Sequence, residues 1–243
     1  MEKGAVKNNE TINQLFKVGA HFAYTKSRRH PSAKPFIFGA KNKIEIFDLE
    51  KTKDLLAAAK NFVQSVAETG GMILFVGGKN EARLAVKNAA TSIGMPYVAG
   101  RWIGGTLTNF PQIRKRVQKL EDLTKQREKG ELAKYTKKER LLIDREIAKL
   151  EQFFSGLAPM RELPKAVFVI DSKREHIAVE EAAVVGVPVL SLSGSDCDLK
   201  KIMYPIPGND TAMASIQFFV NEIISAYKGG LAQKEKAKAP DPK

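Results

Sequence analysis

The sequence predicts an α/β protein built as a three-layer sandwich, in which about five parallel strands are covered by helices on both faces. Short, mainly apolar runs alternate along the chain with amphipathic segments at helical spacing. Strands that are apolar on both faces are typical of parallel sheets, because crossover helices cover both sides of such sheets. The chain has 243 residues, 43% of them hydrophobic, and can bury a core of its own.

The predicted elements follow one another from residue 44 onward. Residues 1–18 form an N-terminal segment, and the sandwich is expected to comprise residues 19–108 and 157–227. Strands are predicted at Ile44–Phe47, 72–76, 167–170 and 187–192, with helices after the first strand to residue 63 and at 81–93, 175–185 and 210–227.

Residues 109–156 interrupt this alternation and predict an inserted helical hairpin. Of the 45 residues from 109 to 153, 21 are charged, and the apolar residues recur at helical spacing without a strand. Each helix has one narrow apolar stripe, and two such stripes can bury each other. The stripes are Ile113, Val117, Leu120 and Thr124, and Ile143, Ile147, Leu150 and Phe154. Thr136 and Glu139 have the spacing of a capping box at the start of the second helix.

The net charge of +13 is unevenly distributed and favours a polyanionic partner, with nucleic acid ahead of an anionic membrane surface. Residues 1–60 carry 12 lysines and arginines against 6 acidic residues, and residues 110–153 carry 13 against 8. Residues 154–227 reverse the sign, with 6 against 9. Residues 228–243 are rich in Lys, Ala and Pro and are predicted to form a disordered basic tail.

The remaining composition argues against several classes of site. The single Cys197 cannot form an internal disulfide, and three histidines without a second cysteine fit no usual zinc-site spacing. Residues 1–14 lack an export signal, and no stretch approaches about 20 apolar residues, so a cytoplasmic protein without a membrane span is expected. No cofactor, metal ion or small-molecule substrate is predicted.

A nucleotide-binding α/β enzyme that uses the turn at Gly77, Gly78 and Lys79 is the alternative to nucleic-acid binding. This turn follows a predicted strand and begins a helix, where backbone N–H groups can bind phosphate. It matches neither a G-x-G-x-x-G nor a Walker motif, so a tight strand-to-helix turn explains its glycines better.

The sequence gives little evidence for a catalytic or metal-binding site elsewhere. Asp171, Asp196 and Asp198 follow predicted strands and could hold a hard cation, but capping is the commoner role for such residues. The sequence has no G-x-S-x-G elbow, and no histidine lies near Cys197 in the chain, so no catalytic residue is predicted.

Three segments carry residues suited to RNA. The run 26–36 combines cations with prolines that restrict its backbone, and the segment 99–110 offers a cation for phosphate and the only tryptophan for base stacking. The hairpin adds cations near its base and its tip. The candidate RNA-binding residues are Arg28, Arg29, His30, Lys34, Arg101, Trp102, Thr106, Thr108, Asn109, Arg114, Lys115, Arg116, Lys137 and Lys138. Trp102, Thr106, Thr108 and Asn109 could instead orient the base of the hairpin.

Several segments together carry a resemblance to one family. They are GAHF (19–22), RRHPSAKPFIFG (28–39), IEIFDLEKT (44–52), AGRWIGGTLTNF (99–110), PKAVFVID (164–171) with Glu175, Glu181 and GVP (186–188), and YPIPGND (204–210). GGTLTNF and IPGND on either side of a basic helical hairpin form a highly specific combination. The chain resembles the family of bacterial small-subunit ribosomal protein S-two over roughly residues 12–227.

This resemblance implies a flavodoxin-like or Rossmann-like sandwich with a protruding coiled-coil hairpin. It implies a structural constituent of the small ribosomal subunit that binds its ribosomal RNA and has no enzymatic activity. It also implies contact with neighbouring small-subunit proteins, including the S-one protein, for which the acidic segment 154–227 is a candidate surface. A peripheral membrane or general nucleic-acid binder is a third interpretation.

The chain departs from the family pattern at three places. Ala23-Tyr24 stands where the family usually has Gly-His, Ser193-Gly194-Ser195 replaces a usual Asp-Thr-Asn, and Thr211 replaces a second Asp. These changes affect local contacts and any bound cation.

Overall fold

The computed structural model describes the backbone of residues 2–238 and the side chains of residues 10–132 and 134–235. The chain begins with helix α1 (Glu2–Lys17), followed by strands β1 (Phe22–Thr25), β2 (Ile37–Lys41) and β3 (Ile44–Phe47). These strands form an antiparallel sheet in the order β1-β3-β2. Asn42 and Lys43 alone join β2 to β3, and both have positive φ, as in a type I′ hairpin turn.

The strand predicted at Ile44–Phe47 is therefore present, but it does not belong to the parallel sheet. A two-residue connection joins only antiparallel strands, because a parallel pair needs a crossover of a dozen or more residues. The expectation that this strand begins the parallel sheet is wrong. In the sequence, Asn42 could have indicated this tight turn, because asparagine tolerates positive φ.

The parallel sheet has five strands: β4 (Ile73–Val76), β5 (Tyr97–Val98), β6 (Ala166–Ile170), β7 (Val189–Ser193) and β8 (Tyr204–Pro207). They lie in the order β5-β4-β6-β7-β8, and every neighbouring pair is parallel. Counted along the chain, this is the flavodoxin-like order 2-1-3-4-5, which confirms the predicted fold class. The sequence predicts no strand at β5 or β8. β5 has only two residues, and β8 contains two prolines, which are tolerated because this strand lies at the edge of the sheet.

Among the described residues, six further α-helices follow the antiparallel sheet: α2 (Leu49–Thr69), α3 (Asn80–Ser92), α4 (Phe110–Glu128), α5 (Lys137–Phe154), α6 (His176–Val184) and α7 (Met213–Lys238). Helices α2, α3 and α7 cover one face of the parallel sheet, towards which Phe75 and Phe168 point. Helix α6 and the paired helices α4 and α5 pack on the other face with Val76 and Val169. Among the described helices, none is both long and apolar enough to cross a bilayer.

Helices α4 and α5 pack against each other through the predicted apolar stripes. One buried cluster contains side chains of both helices, namely Ile113, Val117, Leu120, Ile147, Leu150 and Phe154. Lys119 and Glu146 form an ion pair between the two helices. The predicted capping box is also present, because the Thr136 hydroxyl accepts the Glu139 N–H while the Glu139 carboxylate accepts the Thr136 N–H. The coiled-coil geometry and the boundaries at 109 and 156 stay predictions.

Helix α7 continues to Lys238, so the prediction of a disordered tail is wrong for residues 228–238. Residues 239–243 lie outside the described residues. A Cβ at Gly230 would lie 2.5 Å from the Gln64 carbonyl oxygen, so this glycine permits a close approach of α7 to α2. Leu231 packs against the core beyond it. The helix therefore continues because of packing that composition does not reveal.

Candidate nucleic-acid interface

The segment between β5 and α4 is held by one buried carboxylate, that of Glu181 on α6. Its Oε1 accepts a hydrogen bond from the indole N–H of Trp102 at 3.0 Å and one from the Gly105 N–H at 2.8 Å. Its Oε2 accepts the N–H of Leu107 at 3.0 Å, and both the N–H and the hydroxyl of Thr108 at 3.2 and 3.3 Å. These donors fix the backbone that leads into α4.

The environment of Glu181 keeps it ionised. Burial raises its pKa, but the hydrogen bonds from Trp102, Leu107, Gly105 and Thr108 lower it by more, so the pKa lies below its ordinary value. Sequence reasoning gave Glu181 no role, because its partners lie 73 to 79 residues away in the chain. The family resemblance could have indicated this role, because both GGTLTNF and Glu181 belong to the segments that carry it.

The polar and aromatic candidates in this segment are placed to orient α4. Trp102 is only 6% exposed, and Thr106 is buried with its hydroxyl donating to the Ile103 carbonyl at 2.6 Å. Thr108 and Asn109 are exposed, although Thr108 also binds Glu181. This geometry favours the alternative in which these residues shape the hairpin base, and their contact with RNA stays a prediction.

Exposed cations lie within this segment, just after it, and at the far end of the hairpin. Arg101 belongs to the segment, Lys115 and Arg116 follow it on α4, and Lys137 and Lys138 lie in the first turn of α5, where the hairpin turns back. None of these five forms an ion pair with another described side chain. A cation in the first helical turn is disfavoured by the helix dipole, so helix stability does not explain Lys137 and Lys138. These side chains are available to an external anion.

Arg114 differs from its neighbours on α4 because it has partners within the protein. Its Nη1 donates to the Ala158 carbonyl at 3.4 Å and lies 3.8 Å from the Glu121 carboxylate. The side chain is half-buried. Arg114 therefore connects α4 to the segment that returns from α5, whereas Lys115 and Arg116 point to solvent.

The arginines of the predicted basic run 26–36 also have internal partners. Arg29 Nη1 lies 2.6 Å from Oε1 of the buried Glu45, so an ion pair connects this loop arginine to β3 of the antiparallel sheet. The exposed Arg28 lies 3.9 Å from Asp196. The run is therefore less cationic towards an external partner than its sequence indicates.

His30 and Lys34 complete this run and differ in their surroundings. Nδ1 of His30 lies 2.7 Å from the Ser32 hydroxyl and 3.8 Å from Asp198, and the His30 N–H donates to the Ser195 carbonyl at 2.8 Å. Lys34 is exposed and forms no ion pair with the described side chains. The backbone contacts of His30 hold the run against the end of β7, with Lys34 free.

The crevice at the carboxyl ends of β4 and β6, where doubly wound sheets bind ligands, is filled by an internal ion cluster. Lys79 Nζ lies 3.0 Å from carboxylate oxygens of both Asp171 and Asp210, and all three residues are buried. Burial lowers the pKa of Lys79, but Asp210 and Asp171 raise it by more, so Lys79 stays protonated. Burial and Asp171 raise the pKa of Asp210 to about 6, against the opposing effect of Lys79. The ammonium is therefore already bound by two carboxylates and is not available to a phosphate.

The glycine turn before Lys79 serves packing. The Gly78 N–H donates to Glu175 Oε1 at 3.2 Å, and a Cβ at Gly78 would lie 2.5 Å from that oxygen and from the Gly100 carbonyl oxygen. Burial raises the pKa of Glu175, and the Gly78 hydrogen bond partly offsets this effect. The N–H that a nucleotide phosphate would need is already used, so the geometry does not support the nucleotide alternative.

The three aspartates considered for a hard cation each have a separate role. Asp171 belongs to the ion cluster, Asp196 binds a lysine at 3.0 Å, and Asp198 accepts a backbone N–H at 3.1 Å. Ligand atoms of Asp171, Cys197 and Asp210 do lie within 4.8 Å of one another, but the lysine ammonium already binds both carboxylates. Burial and Asp171 raise the pKa of Cys197 to about 12, so its thiol is neutral and a poor nucleophile.

Comparison with known proteins identifies the family of this chain. The family model described as ribosomal protein S2 matches residues 15–230. The chain is 43% identical to the small ribosomal subunit protein uS2 of Sulfurimonas denitrificans over 222 residues, which cover 91% of this chain and 86% of that protein. It is 43% identical to the uS2 of a Nitratiruptor species over 93% of this chain and 84% of that protein, and 42% identical to that of Acidothermus cellulolyticus over 96% and 85%. The chain therefore belongs to the ribosomal protein S2 family.

Proposed function

We propose that this protein is a structural constituent of the small ribosomal subunit in the cytoplasm, where it binds the small-subunit ribosomal RNA and supports translation. The observation that carries the proposal is identity above 40%, over more than nine tenths of the chain, to proteins named small ribosomal subunit protein uS2. The family is one of structural ribosomal proteins, so the protein is not an enzyme and the nucleotide-dependent alternative is dropped.

The mechanism we propose is electrostatic positioning on RNA phosphates. Arg101, Lys115 and Arg116 are exposed beside the loop that Glu181 holds, so their backbone positions are fixed before RNA binds. Because the backbone is already fixed, only the side chains lose conformational freedom on binding, and each phosphate contact releases counterions. Lys34, Lys137 and Lys138 are further free cations for the same partner. Arg28 and His30 lie near carboxylates and would contribute less.

The protein would also contact neighbouring small-subunit proteins, and the S-one protein is one candidate. The segment 154–227 proposed for this contact is less acidic at its surface than its sequence, because four of its nine carboxylates are buried. These four are Asp171, Glu175, Glu181 and Asp210. Co-purification of the S-one protein with subunits that carry Glu180→Lys, an exposed position of the segment, tests this contact. Unchanged co-purification would exclude Glu180 from the contact.

Charge reversal on α4 tests the main proposal. Lys115→Glu with Arg116→Glu places two negative charges at exposed positions, so we expect lower occupancy of the protein on purified small subunits, measured by mass spectrometry. Arg114 is left unchanged because it binds the Ala158 carbonyl. The control is Lys165→Glu with Lys228→Glu, two exposed lysines near the amino ends of β4 and β6, the end of the parallel sheet opposite the β5–α4 segment. Lys165 lies beside Gly71, and Lys228 follows Tyr227, whose hydroxyl donates to the Gly71 carbonyl. Equal occupancy of both variants would remove α4 from the interface.

A further inference from the structure

A pocket opens at the edge of the parallel sheet, beside β5. It lies between α3 and the carboxyl end of α5, has a volume of about 420 Å³ and is called here the edge pocket. It is lined by Lys87 of α3, by residues 97–101, and by Ala148, residues 151–153, Ser155 and Gly156. Its volume is within the range of small-ligand sites, so it can hold a group as large as one nucleotide.

The backbone at this edge has no strand partner on the side of the pocket. β5 is the outermost strand, and the carbonyls of Pro96 and Val98 accept hydrogen bonds from β4 and the residue after it. Tyr97 lies between them, so its backbone N–H and carbonyl face away from β4. A Cβ at Gly156 would overlap the Tyr97 carbonyl oxygen, so the chain after α5 leaves no room for an added strand. The edge pocket therefore fits a small group rather than an extended peptide.

The charge around the edge pocket is positive. Lys87 and Arg101 line it, are exposed, and form no ion pair with another described side chain. Among the described lining residues one is acidic, Glu151, and its carboxylate lies 3.7 Å from the Arg127 guanidinium, which offsets its charge. An anion from outside the protein would compensate the two remaining cations.

Lys87 is not explained by the stability of its own helix. It makes no hydrogen bond or ion pair with another described residue. Arg83 lies one turn earlier on α3, and like charges four residues apart disfavour a helix. Arg101 belongs to the segment that Glu181 holds, so its backbone is fixed. Two cations from separate elements therefore line one pocket, as is needed to hold an anion between them.

Two aromatic rings also line the edge pocket. Tyr97 on the edge strand and Phe153 in the last turn of α5 are both half-buried there. Rings beside cations suit an unpaired nucleotide, because the base needs a surface to stack on and the phosphate needs a positive charge. A base inside a duplex is already stacked between its neighbours and would not enter the pocket.

We propose that the edge pocket binds one unpaired nucleotide of the ribosomal RNA, with its phosphate held by Lys87 and Arg101 and its base against Tyr97 and Phe153. The inference rests on the proposed function and extends the RNA-binding surface from the hairpin base to α3, where the sequence predicts no RNA contact. An RNA strand is favoured over a free nucleotide because Arg101 precedes the exposed Lys115 and Arg116 in the chain, so one strand can contact the pocket and α4.

Charge reversal at Lys87 tests the phosphate contact in the full-length protein. Lys87→Glu should weaken binding to a transcript of small-subunit ribosomal RNA by about 10-fold, measured by filter binding, because it removes a charge-assisted contact. Arg83 gives the new carboxylate a partner one turn away, so the variant should fold. The control is Lys228→Glu, which changes the net charge equally at an exposed position of α7 and should weaken binding by no more than about 2-fold.

Filling the edge pocket tests whether a nucleotide enters it. Ala148 is an exposed residue of α5 that lines the pocket. Ala148→Leu occupies part of the volume without changing the charge and should weaken binding to the transcript by about 5-fold or more. Ala148→Ser keeps the pocket open and should bind within about 2-fold of the unsubstituted protein.

Several results would overturn the inference. Equal affinities of Lys87→Glu and Lys228→Glu would exclude the phosphate contact, and full binding by Ala148→Leu would exclude an inserted nucleotide. Binding of adenosine monophosphate that Lys87→Glu abolishes, with RNA binding unchanged, would assign the pocket to a free nucleotide. If the protein enters small subunits while Lys87→Glu and Ala148→Leu bind RNA normally, the inference fails and the proposed function stands. If the protein does not enter small subunits, the proposed function fails.

Discussion

At the residue scale, Glu181 replaces the water that several backbone N–H groups of the β5–α4 segment would otherwise bind. Removing it would leave the Trp102 indole and the N–H groups of Gly105, Leu107 and Thr108 without their acceptor. Unpaired buried donors are costly, and hydrogen bonds to a charged group are among the stronger ones. Glu181→Ala should therefore lower the unfolding free energy by about 3 kcal/mol, measured by urea denaturation.

The neighbouring Glu180 supplies the control for this prediction, because it is exposed on the same helix. Glu180→Ala should change stability by less than about 0.5 kcal/mol. Tryptophan fluorescence gives a second readout, since Trp102 is the only tryptophan and its indole binds Glu181. A similar stability for the two variants, with an unshifted Trp102 spectrum in Glu181→Ala, would mean that the segment is held by other contacts.

Asp210 should make the unfolding free energy depend on pH. Its pKa is about 6 in the folded protein against an ordinary 3.8, so the folded state binds this proton more tightly than the unfolded chain does. Between about pH 4 and pH 6 the unfolding free energy should fall as pH rises, by on the order of 3 kcal/mol from this group. Asp210→Asn should remove that part of the slope, as urea denaturation across this pH range would measure.

The ammonium of Lys79, which faces Asp210, does not titrate between pH 4 and pH 6 and so adds nothing to this pH dependence. The pKa of Lys79 is raised above its ordinary 10.5, so its contribution to stability is complete below that pH and is lost only as the pH rises through the folded pKa. Asp171 and Cys197 also face Asp210, so the comparison is made between two proteins that share them. Identical slopes for the unsubstituted protein and Asp210→Asn would mean that Asp210 titrates normally.

At the scale of elements, adjacent glycines in α7 have opposite roles. A Cβ at Gly230 would meet the Gln64 carbonyl oxygen at 2.5 Å and the Ala67 Cβ at 2.7 Å, whereas a Cβ at Gly229 would meet nothing within 4 Å. Gly230→Ala should destabilise the protein by about 1 to 3 kcal/mol because α7 must move away from α2. Gly229→Ala should stabilise it by about 0.5 to 1 kcal/mol because alanine is the better helix former. The midpoint temperature of thermal unfolding should fall for Gly230→Ala and rise for Gly229→Ala.

These elements also show what the sequence could and could not predict. Strands β4 and β6 are apolar at every position and β7 is apolar except for two serines, and the stripes of α4 and α5 repeat at helical spacing, so these strands and helices were predictable from local pattern. β5 was not, because two residues carry no periodicity. The extension of α7 depends on its contact with α2 near Gly230, and a polar composition does not reveal that contact.

The candidate site likewise contains cations that the sequence predicted correctly and one whose pairing it could not reveal. Residue type and local charge identified Arg101, Lys115 and Arg116 as cations, and the structure leaves them exposed. The same reasoning chose Arg29, but its partner Glu45 lies on the adjoining antiparallel sheet, which only the folded chain brings together. A charge count along the sequence therefore overstates the cations available to RNA wherever an internal carboxylate pairs with them.

At the scale of the whole molecule, the net charge of +13 makes RNA binding depend on salt, and the slope counts the cations that contact phosphates. Lys115 and Lys119 are one turn apart on α4, but Lys119 is paired with Glu146 and Lys115 is not. Lys115→Gln should reduce the slope of log affinity against log salt concentration by about 0.9, the value for one phosphate of a duplex. Lys119→Gln should reduce it by much less, because its charge is already compensated. Filter binding to small-subunit ribosomal RNA at several salt concentrations measures both slopes, and equal reductions would show that internal pairing does not decide which cations of α4 reach the RNA.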